Sequence, residues 1–367
     1  MTTPTAVHPL PFQPAFEQVP DDEADTIREM VQAMRDIAET TYANGGHAIR
    51  SVHAKSHGLL TGRVTVLGGL PPAYAQGVFA TPGSHAAVLR FSTNPGDILP
   101  DSVSTPRGLA LKLIDVSGAR LPGSEGQVTQ DFVMQNAPAF TAPDPKTFLK
   151  TLKLLAKTTD RGEGLKKVAS AVLRGTEQVV EALGGESPTL KSLGGHPETH
   201  ILGETFYTMV PFLYGPYFAK LSVVPVAPEL TALTDAPVEV NGKPDGLREA
   251  VNVHFAQHGG VWEIRVQLGV DIEQTPIEDA SVVWPEDLTP YVTVAHLEVP
   301  PQPAWNEARS REVDDGMVFS PWHGLAAHRP LGGIMRSRQP AYEMSSQFRS
   351  ERNGCPLHHP RGPVELS

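Results

Sequence analysis

The sequence predicts an α+β protein built on an antiparallel β-barrel core, with a helix ahead of the barrel and further helices inserted into it and following it. Three observations carry that prediction. Short β-branched or alternating runs recur between turn residues, helical stretches interrupt them without regular alternation, and no repeat of fixed period is present. The chain has 367 residues and about 40% apolar content, enough to bury one large core or two modest ones.

In chain order, an N-terminal arm and helix occupy residues 1–46. Residues 21–43 carry Ile27, Met30, Met34 and Ile37 at helical spacing behind an acidic start, the pattern of an amphipathic helix. Strands are expected at "GRVTVL" (62–67), "AAVLRFST" (86–93), "GLALKLIDV" (108–116), "DFVMQN" (131–136), "ETFYTMVPFLY" (204–214), "FAKLSVVPV" (218–226) and "VWEIRVQLGV" (261–270). Residues 145–183 read as a helical insertion, with Gly162 and Gly164 as breaks. "VPPQPAW" (299–305) suits an extended, wrapping segment. A last helix is expected over "RSRQPAYEMSSQFRSERN" (336–353), its start blurred by Pro340. The barrel unit is thus 47–353, followed by a tail, 354–367.

Charge and cysteine content narrow the function. Thirty basic against 41 acidic residues leave a net charge of −11, which argues against binding nucleic acid or anionic membranes in general. The single cysteine, Cys355, allows no intrachain disulfide and no thiolate cluster. No leader pattern opens the sequence and no uninterrupted apolar stretch is long enough to span a membrane, so a cytoplasmic protein is expected. The basic stretch from Lys146 to Lys167 reads as a solvated helix face; the sharper reading is a surface for a carboxylate-bearing lipid or an anionic membrane. His358 and His359 are adjacent without a third ligand nearby, so a solvated tail is expected there, not a metal site.

Several polar residues stand where apolar ones would serve a core better. "RSVHAKSHG" (50–58) gathers Arg50, His53 and Lys55 just before the first predicted strand. Alternation in "AVLRFST" puts Leu89, Phe91 and Thr93 on one face and Val88, Arg90 and Ser92 on the other, so an arginine and a hydroxyl share a strand face. In "RQPAY" Arg338 lies four residues before Tyr342, and Arg349 follows seven residues after it, all on one helical face. Two arginines bias the phenol toward tyrosinate. Holding a tyrosine ionised at pH 7 costs roughly 4 kcal/mol, more than one exposed arginine supplies, so a metal ion, ferric iron for choice, would have to contribute most of it. Singly, each motif has a plain structural explanation, either an exposed histidine or an ordinary helix-surface pair.

Their joint order resembles the haem catalases, and most closely the small catalase-related haem peroxidases that lack the usual C-terminal extensions. The resemblance runs through "RSVHAKSHG", "VLRFSTNPGDILPDSVSTPRGLALKL", "QDFVMQNAPAFTAPDPKTF" and "HRPLGGIMRSRQPAYEMSSQFR", bracketing roughly residues 47–353. It implies a heme b (iron) cofactor. It also implies roles: His53 as the distal histidine, Ser92 as its hydrogen-bond partner, Tyr342 as the proximal iron ligand and Arg338 as the residue keeping that phenolate ionised. Arg50, Arg90 and Arg349 would hold the haem propionates, a task suited to guanidinium forks. Phe140 and Phe148 would line the distal side, and Val52 would precede the distal histidine without offering it a hydroxyl.

The sequence departs from the family at three points. Thr105 in "VSTPRG" stands where the family has a channel aspartate. In "MQNAPAF" a gapless register gives the distal amide position to Gln135, whereas a one-residue bulge would give it to Asn136; Asn136 is the expectation, because a shorter amide is held more rigidly. The long C-terminal wrapping segment of the family is expected to be absent, since little sequence follows the tyrosine helix. The implied activity is a peroxidase using hydrogen peroxide or organic hydroperoxides to oxidise a small organic reductant, with weak catalase activity. His53 would act as general base and then general acid, with a pKa near neutrality. Alternatives are a minimal catalase, a fatty-acid hydroperoxide isomerase or dehydratase, and a non-enzymatic haem carrier or sensor, against which the retained histidine weighs. A homo-oligomer, taken as a dimer, is expected, with no nucleic-acid partner; membrane contact stays open only as the lesser reading of the basic stretch.

Overall fold

The computed structural model of the protein describes residues 8–158 and 196–367. Nine strands form one antiparallel sheet: β1 (Lys55–Val66), β2 (Gly83–Thr93), β3 (Arg107–Ile114), β4 (Thr129–Gln135), β5 (Phe206–Tyr207), β6 (Phe212–Tyr214), β7 (Tyr217–Pro225), β8 (Gly260–Leu268) and β9 (Val292–Val299). The order β5-β4-β3-β2-β1-β9-β8-β7, with β5 also pairing β7, closes eight strands into a barrel; β6 is a hairpin partner of β7 outside the ring. Closure leaves no long edge to pair with another chain.

Period-2 alternation decides which residues fill the barrel. Leu89 and Phe91 of β2, Leu109, Leu111 and Leu113 of β3, and Phe132 and Met134 of β4 enter one buried cluster with Trp262, Ile264 and Val266 of β8. The alternate residues, Val88 of β2 and Ala110 of β3, point outward and pack in a separate cluster with Leu59. Polar side chains on that outer face are buried too, because other chain covers them. Lys112 of β3 is fully buried, with its ammonium 2.6 and 2.7 Å from the two oxygens of Asp131 on the paired position of β4. A charge there is tolerable only because a partner is held at bonding distance.

Three helices cover the outer face. α1 (Glu23–Gly45), α2 (Pro145–Thr158) and α4 (Gly333–Asn353) share an apolar cluster of Met30, Met34, Ile37, Leu149, Leu152 and Ala341; α3 (Gly246–Gln257) packs Val251 and Phe255 into the barrel core. α4 runs through Pro340, so the proline that blurred the predicted start lies inside the helix. At its first turn Arg336 reaches Glu17, Glu23 and Glu278 at 2.7–3.1 Å, tying the arm, α1 and a barrel loop to α4.

Several sequence expectations need correction. The first strand begins at Lys55, inside the polar stretch, because Lys55 is itself buried against Asp101 at 2.8 Å. Residues 204–214 form two short strands, since Met209 takes a left-handed φ of 62° and Pro211 follows it. α3 and β9 were not anticipated. The tail is docked: His358 donates its backbone N–H to Gly316, and Arg309 reaches the carbonyls of Leu366 and Ser367. Lys146 and Lys153 are exposed, as a solvated helix face requires, and make surface pairs with Asp22, just ahead of α1, and Glu29 within it. The remainder of the 145–183 insertion, with Gly162, Gly164 and the basic residues beyond 158, lies outside the described residues.

Candidate active site

Between the outer face of β2, β3 and β4 and the helices α1 and α4 lies a pocket that opens to solvent. Val52, His53, Arg90, Ser92, Val133, Phe319 and Tyr342 are among the residues that line it. Alternation places Arg90 and Ser92 there, as the pattern in β2 requires.

His53 is held from three strands. It precedes β1 in the left-handed region, φ 51°, a conformation uncommon outside glycine. Its ring lies over Gly108 of β3, where a Cβ would come within 2.7 Å of Cε1. Ser92 Oγ is 3.3 Å from Nδ1, and Gln135 Nε2 is 2.8 Å from Nε2. With the glutamine amide donating to Nε2, the neutral ring carries its proton on Nδ1 and donates to Ser92. Burial, reinforced by the charges of Arg90 and Arg338, pushes His53 down to about 3. The expected pKa near neutrality is therefore wrong: the ring is neutral at physiological pH.

Gln135, not Asn136, meets the histidine. β4 pairs with β3 without a register shift, Gly108 opposite Gln135 and Leu109 opposite Met134, so the bulge that would turn Asn136 inward is absent. Asn136 instead accepts from the Arg107 N–H at 2.9 Å and lies 2.7 Å from Glu204 and 2.5 Å from His196. Arg107, 1% exposed, anchors that second network through Pro197, Thr199 and Glu204.

On α4, Arg338 donates to the Tyr342 phenolic oxygen at 2.8 Å, the helical spacing read from the sequence. One turn on, Ser345 and Ser346 leave room beside the tyrosine, and Arg349 follows. Arg50, Arg90 and Arg349 come together on a residue the sequence reading missed, Asp314. Only its place in an acidic pair, "EVDDG", could have marked it.

Phe140 and Phe148 do not line the cavity. Their rings stack edge-on at 4.9 Å and pack against Val210, Ile334 and Met335. Thr105 is buried and donates its hydroxyl to the Asn94 carbonyl.

No family profile and no curated protein matches this sequence. Solved structures do. The chain is similar to a fungal catalase at 17% identity and a TM-score of 0.60, covering 100% of this chain and 72% of that one. Catalase A from Saccharomyces cerevisiae gives 14% identity and a TM-score of 0.57, over 95% of this chain and 68% of that one. A bacterial catalase gives 16% and 0.57, over 99% and 67%. With its barrel closed by β5 and β7 and its helices laid over the outer face, this chain adopts the catalase fold.

Proposed function

We propose that the protein is a haem-dependent peroxidase that uses hydrogen peroxide or organic hydroperoxides to oxidise small organic donors. One observation carries the reading: a neutral histidine fixed at both nitrogens and an arginine-bonded tyrosine share one cavity. The residues present fit haem. Arg50, Arg90 and Arg349 bring three guanidinium groups together, and Arg349 Nε has no hydrogen-bond partner among the described residues. Burial and mutual repulsion hold Arg50 below the ordinary arginine range and Arg349 down to about 10. A ligand with two carboxylates would relieve that surplus.

Tyr342 would hold the iron, with Arg338 donating to its oxygen and favouring the phenolate; Arg50, Arg90 and Arg349 would hold the propionates. When bound, haem supplies the redox chemistry, accepting oxidising equivalents from peroxide and passing them to a donor. The protein's part is proton management. His53 takes the peroxide proton at Nε2 while Nδ1 stays bonded to Ser92, which keeps the ring from turning. So low a pKa makes the ring a weak base and a ready acid, so it would hold that proton only briefly and return it to the leaving oxygen. Gln135 keeps Nε2 an acceptor until peroxide arrives, and its amide can then bond the peroxide. The apolar wall of Val52, Val133 and Phe319 offers little to orient a second peroxide, which favours an organic donor over catalase turnover.

Loading the purified protein with haem tests the reading. The expected outcome is a high-spin ferric spectrum that Tyr342→Phe abolishes, with oxidation of a phenolic donor outpacing oxygen release from hydrogen peroxide. An unchanged spectrum in Tyr342→Phe would refute the ligand assignment; oxygen release matching a full-length catalase assayed beside it would make the protein a minimal catalase.

A further inference from the structure

The arginine cluster is organised by a carboxylate of the chain itself. Asp314 lies in an irregular turn, Arg311–Asp315, where the Gly316 N–H donates to the carbonyl of Arg311 five residues back. The turn exposes carbonyls that would be used up inside a regular helix. Arg50 donates to the carbonyls of Val313, Asp314 and Met317 at 3.2, 2.7 and 3.1 Å, and Arg349 donates to that of Asp314 at 2.6 Å. The carboxylate itself is fixed at both oxygens. Oδ1 accepts from Arg90 Nε at 2.7 Å and from Arg50 at 3.2 Å, while Oδ2 accepts from Ser56 at 2.6 Å and Ser310 at 2.8 Å.

Charge accounting gives this arrangement a direction. Two buried guanidiniums, Arg90 and Arg349, and the partly buried Arg50 face the Asp314 carboxylate, and the neighbouring Asp315 is bonded at 2.9 Å to His47. Asp315 also acts on Arg50 and Arg349, and three guanidiniums against these two carboxylates leave the cluster net positive, a field that favours an anionic ligand. Without Asp314 the three cations would repel one another and their side chains would have to be ordered anew by each ligand, at an entropic cost.

We propose that Asp314 is a positioning residue that fixes Arg50 and Arg90 as a pre-organised fork for a ligand carrying two carboxylates. The identity of that ligand as a tetrapyrrole rests on the haem reading above. Asp314 touches the arginines and leaves the ligand to them. It also helps to explain why Arg90 is aimed along the outer face of β2, since Asp314 accepts from Nε at 2.7 Å and the Ala54 carbonyl from Nη2 at 3.1 Å, so the guanidinium is held at both ends.

The test uses metal-free protoporphyrin IX, which carries two carboxylates, and its dimethyl ester, which carries none, in fluorescence titrations of the unloaded protein. Wild type should prefer the diacid. Asp314→Ala should reduce that preference roughly tenfold or more, the scale of charged hydrogen bonds lost, with ester binding kept within about twofold. Asp314→Asn, which retains an oxygen acceptor without the charge, should lose less, and it serves if the alanine variant does not fold. An unchanged preference overturns the proposal. So does a stronger preference, which would make Asp314 a competitor of the ligand, and so does equal weakening of both probes, which would make it merely structural. Wild type that binds both probes equally refutes this proposal and the propionate role of the arginines while leaving the Tyr342 ligand assignment standing, whereas wild type that binds neither refutes the haem reading as a whole.

Discussion

At the scale of single residues, the site depends on backbone positions as much as on functional groups. His53 stays over Gly108 because glycine leaves the space, and a methyl there would intrude to 2.7 Å of the ring. Gly108→Ala should therefore displace the imidazole from Ser92 and Gln135 and lower peroxide turnover roughly 10²-fold, as His53→Ala should, the usual scale for a lost general acid/base. Haem uptake should stay unchanged in both variants, read by absorbance at loading; full turnover in Gly108→Ala would mean that the ring works from another position. The low pKa adds a second expectation. A group at about 3 does not titrate between pH 5 and 8, so the peroxide-dependent rate should show no inflection there and should fall only as acid approaches that value. An inflection near pH 6.5 that disappears in His53→Ala would contradict the burial argument.

At the scale of elements, α4 does two jobs from one helix: its middle presents Tyr342 and Arg349 to the cavity, and its first turn is moored by Arg336 to Glu17, Glu23 and Glu278. Removing that guanidinium leaves Glu23 and Glu278 without a cation among the described residues and Glu17 with Arg329 alone, at 2.8 Å. Arg336→Ala should cost roughly 2–4 kcal/mol in urea unfolding and should expose the arm, residues 8–20, to limited proteolysis. A loss below about 0.5 kcal/mol would place the pairs among weak surface contacts. This mooring also shows what the sequence could and could not announce. The helical spacing of Arg338 and Tyr342 and the alternation of Arg90 with Ser92 are local periodicities, and both were legible. The Glu17–Arg336 contact spans most of the chain, and no local pattern encodes it. Between Gln135 and Asn136, the decision rested on whether β4 carries a bulge, a property of its pairing with β3 and not of its own residues. Asp314 escaped for the same reason, since its meaning comes from arginines on three other elements.

At the scale of the whole molecule, burial of neutral histidines ties folding to pH. His328 is the clearest case, 2% exposed and ringed by Phe79, Phe132, Phe212 and Tyr214 at 5.5–6.0 Å between centroids. Its Nε2 accepts from the Val78 N–H at 2.9 Å, and Nδ1 lies 3.3 Å from the Leu213 carbonyl, so only the neutral ring protonated on Nδ1 satisfies both. A proton on Nε2 would turn that acceptor into a second donor facing an N–H. Burial accordingly holds His328 down at about 4, and the unfolded chain, near 6.5, binds protons first. The sign follows: the stability tied to this group is fully present above pH 6.5 and is lost as pH falls through 6.5 toward 4. Linkage over that gap gives a loss of about 2 kcal/mol between pH 7 and pH 5 from His328 alone. His200 and His53, held at about 4 and about 3, act in the same direction. Asp314, held at about 2 by Arg90 and Arg50, adds a further loss only below pH 4. Urea unfolding at pH 7 and pH 5 measures this. His328→Gln, which can keep an acceptor for Val78 and cannot take up the proton, should be less stable than wild type at pH 7 yet lose about 2 kcal/mol less on acidification. Parallel pH dependences in the two proteins would remove His328 from the account and leave the acid sensitivity to the other buried groups.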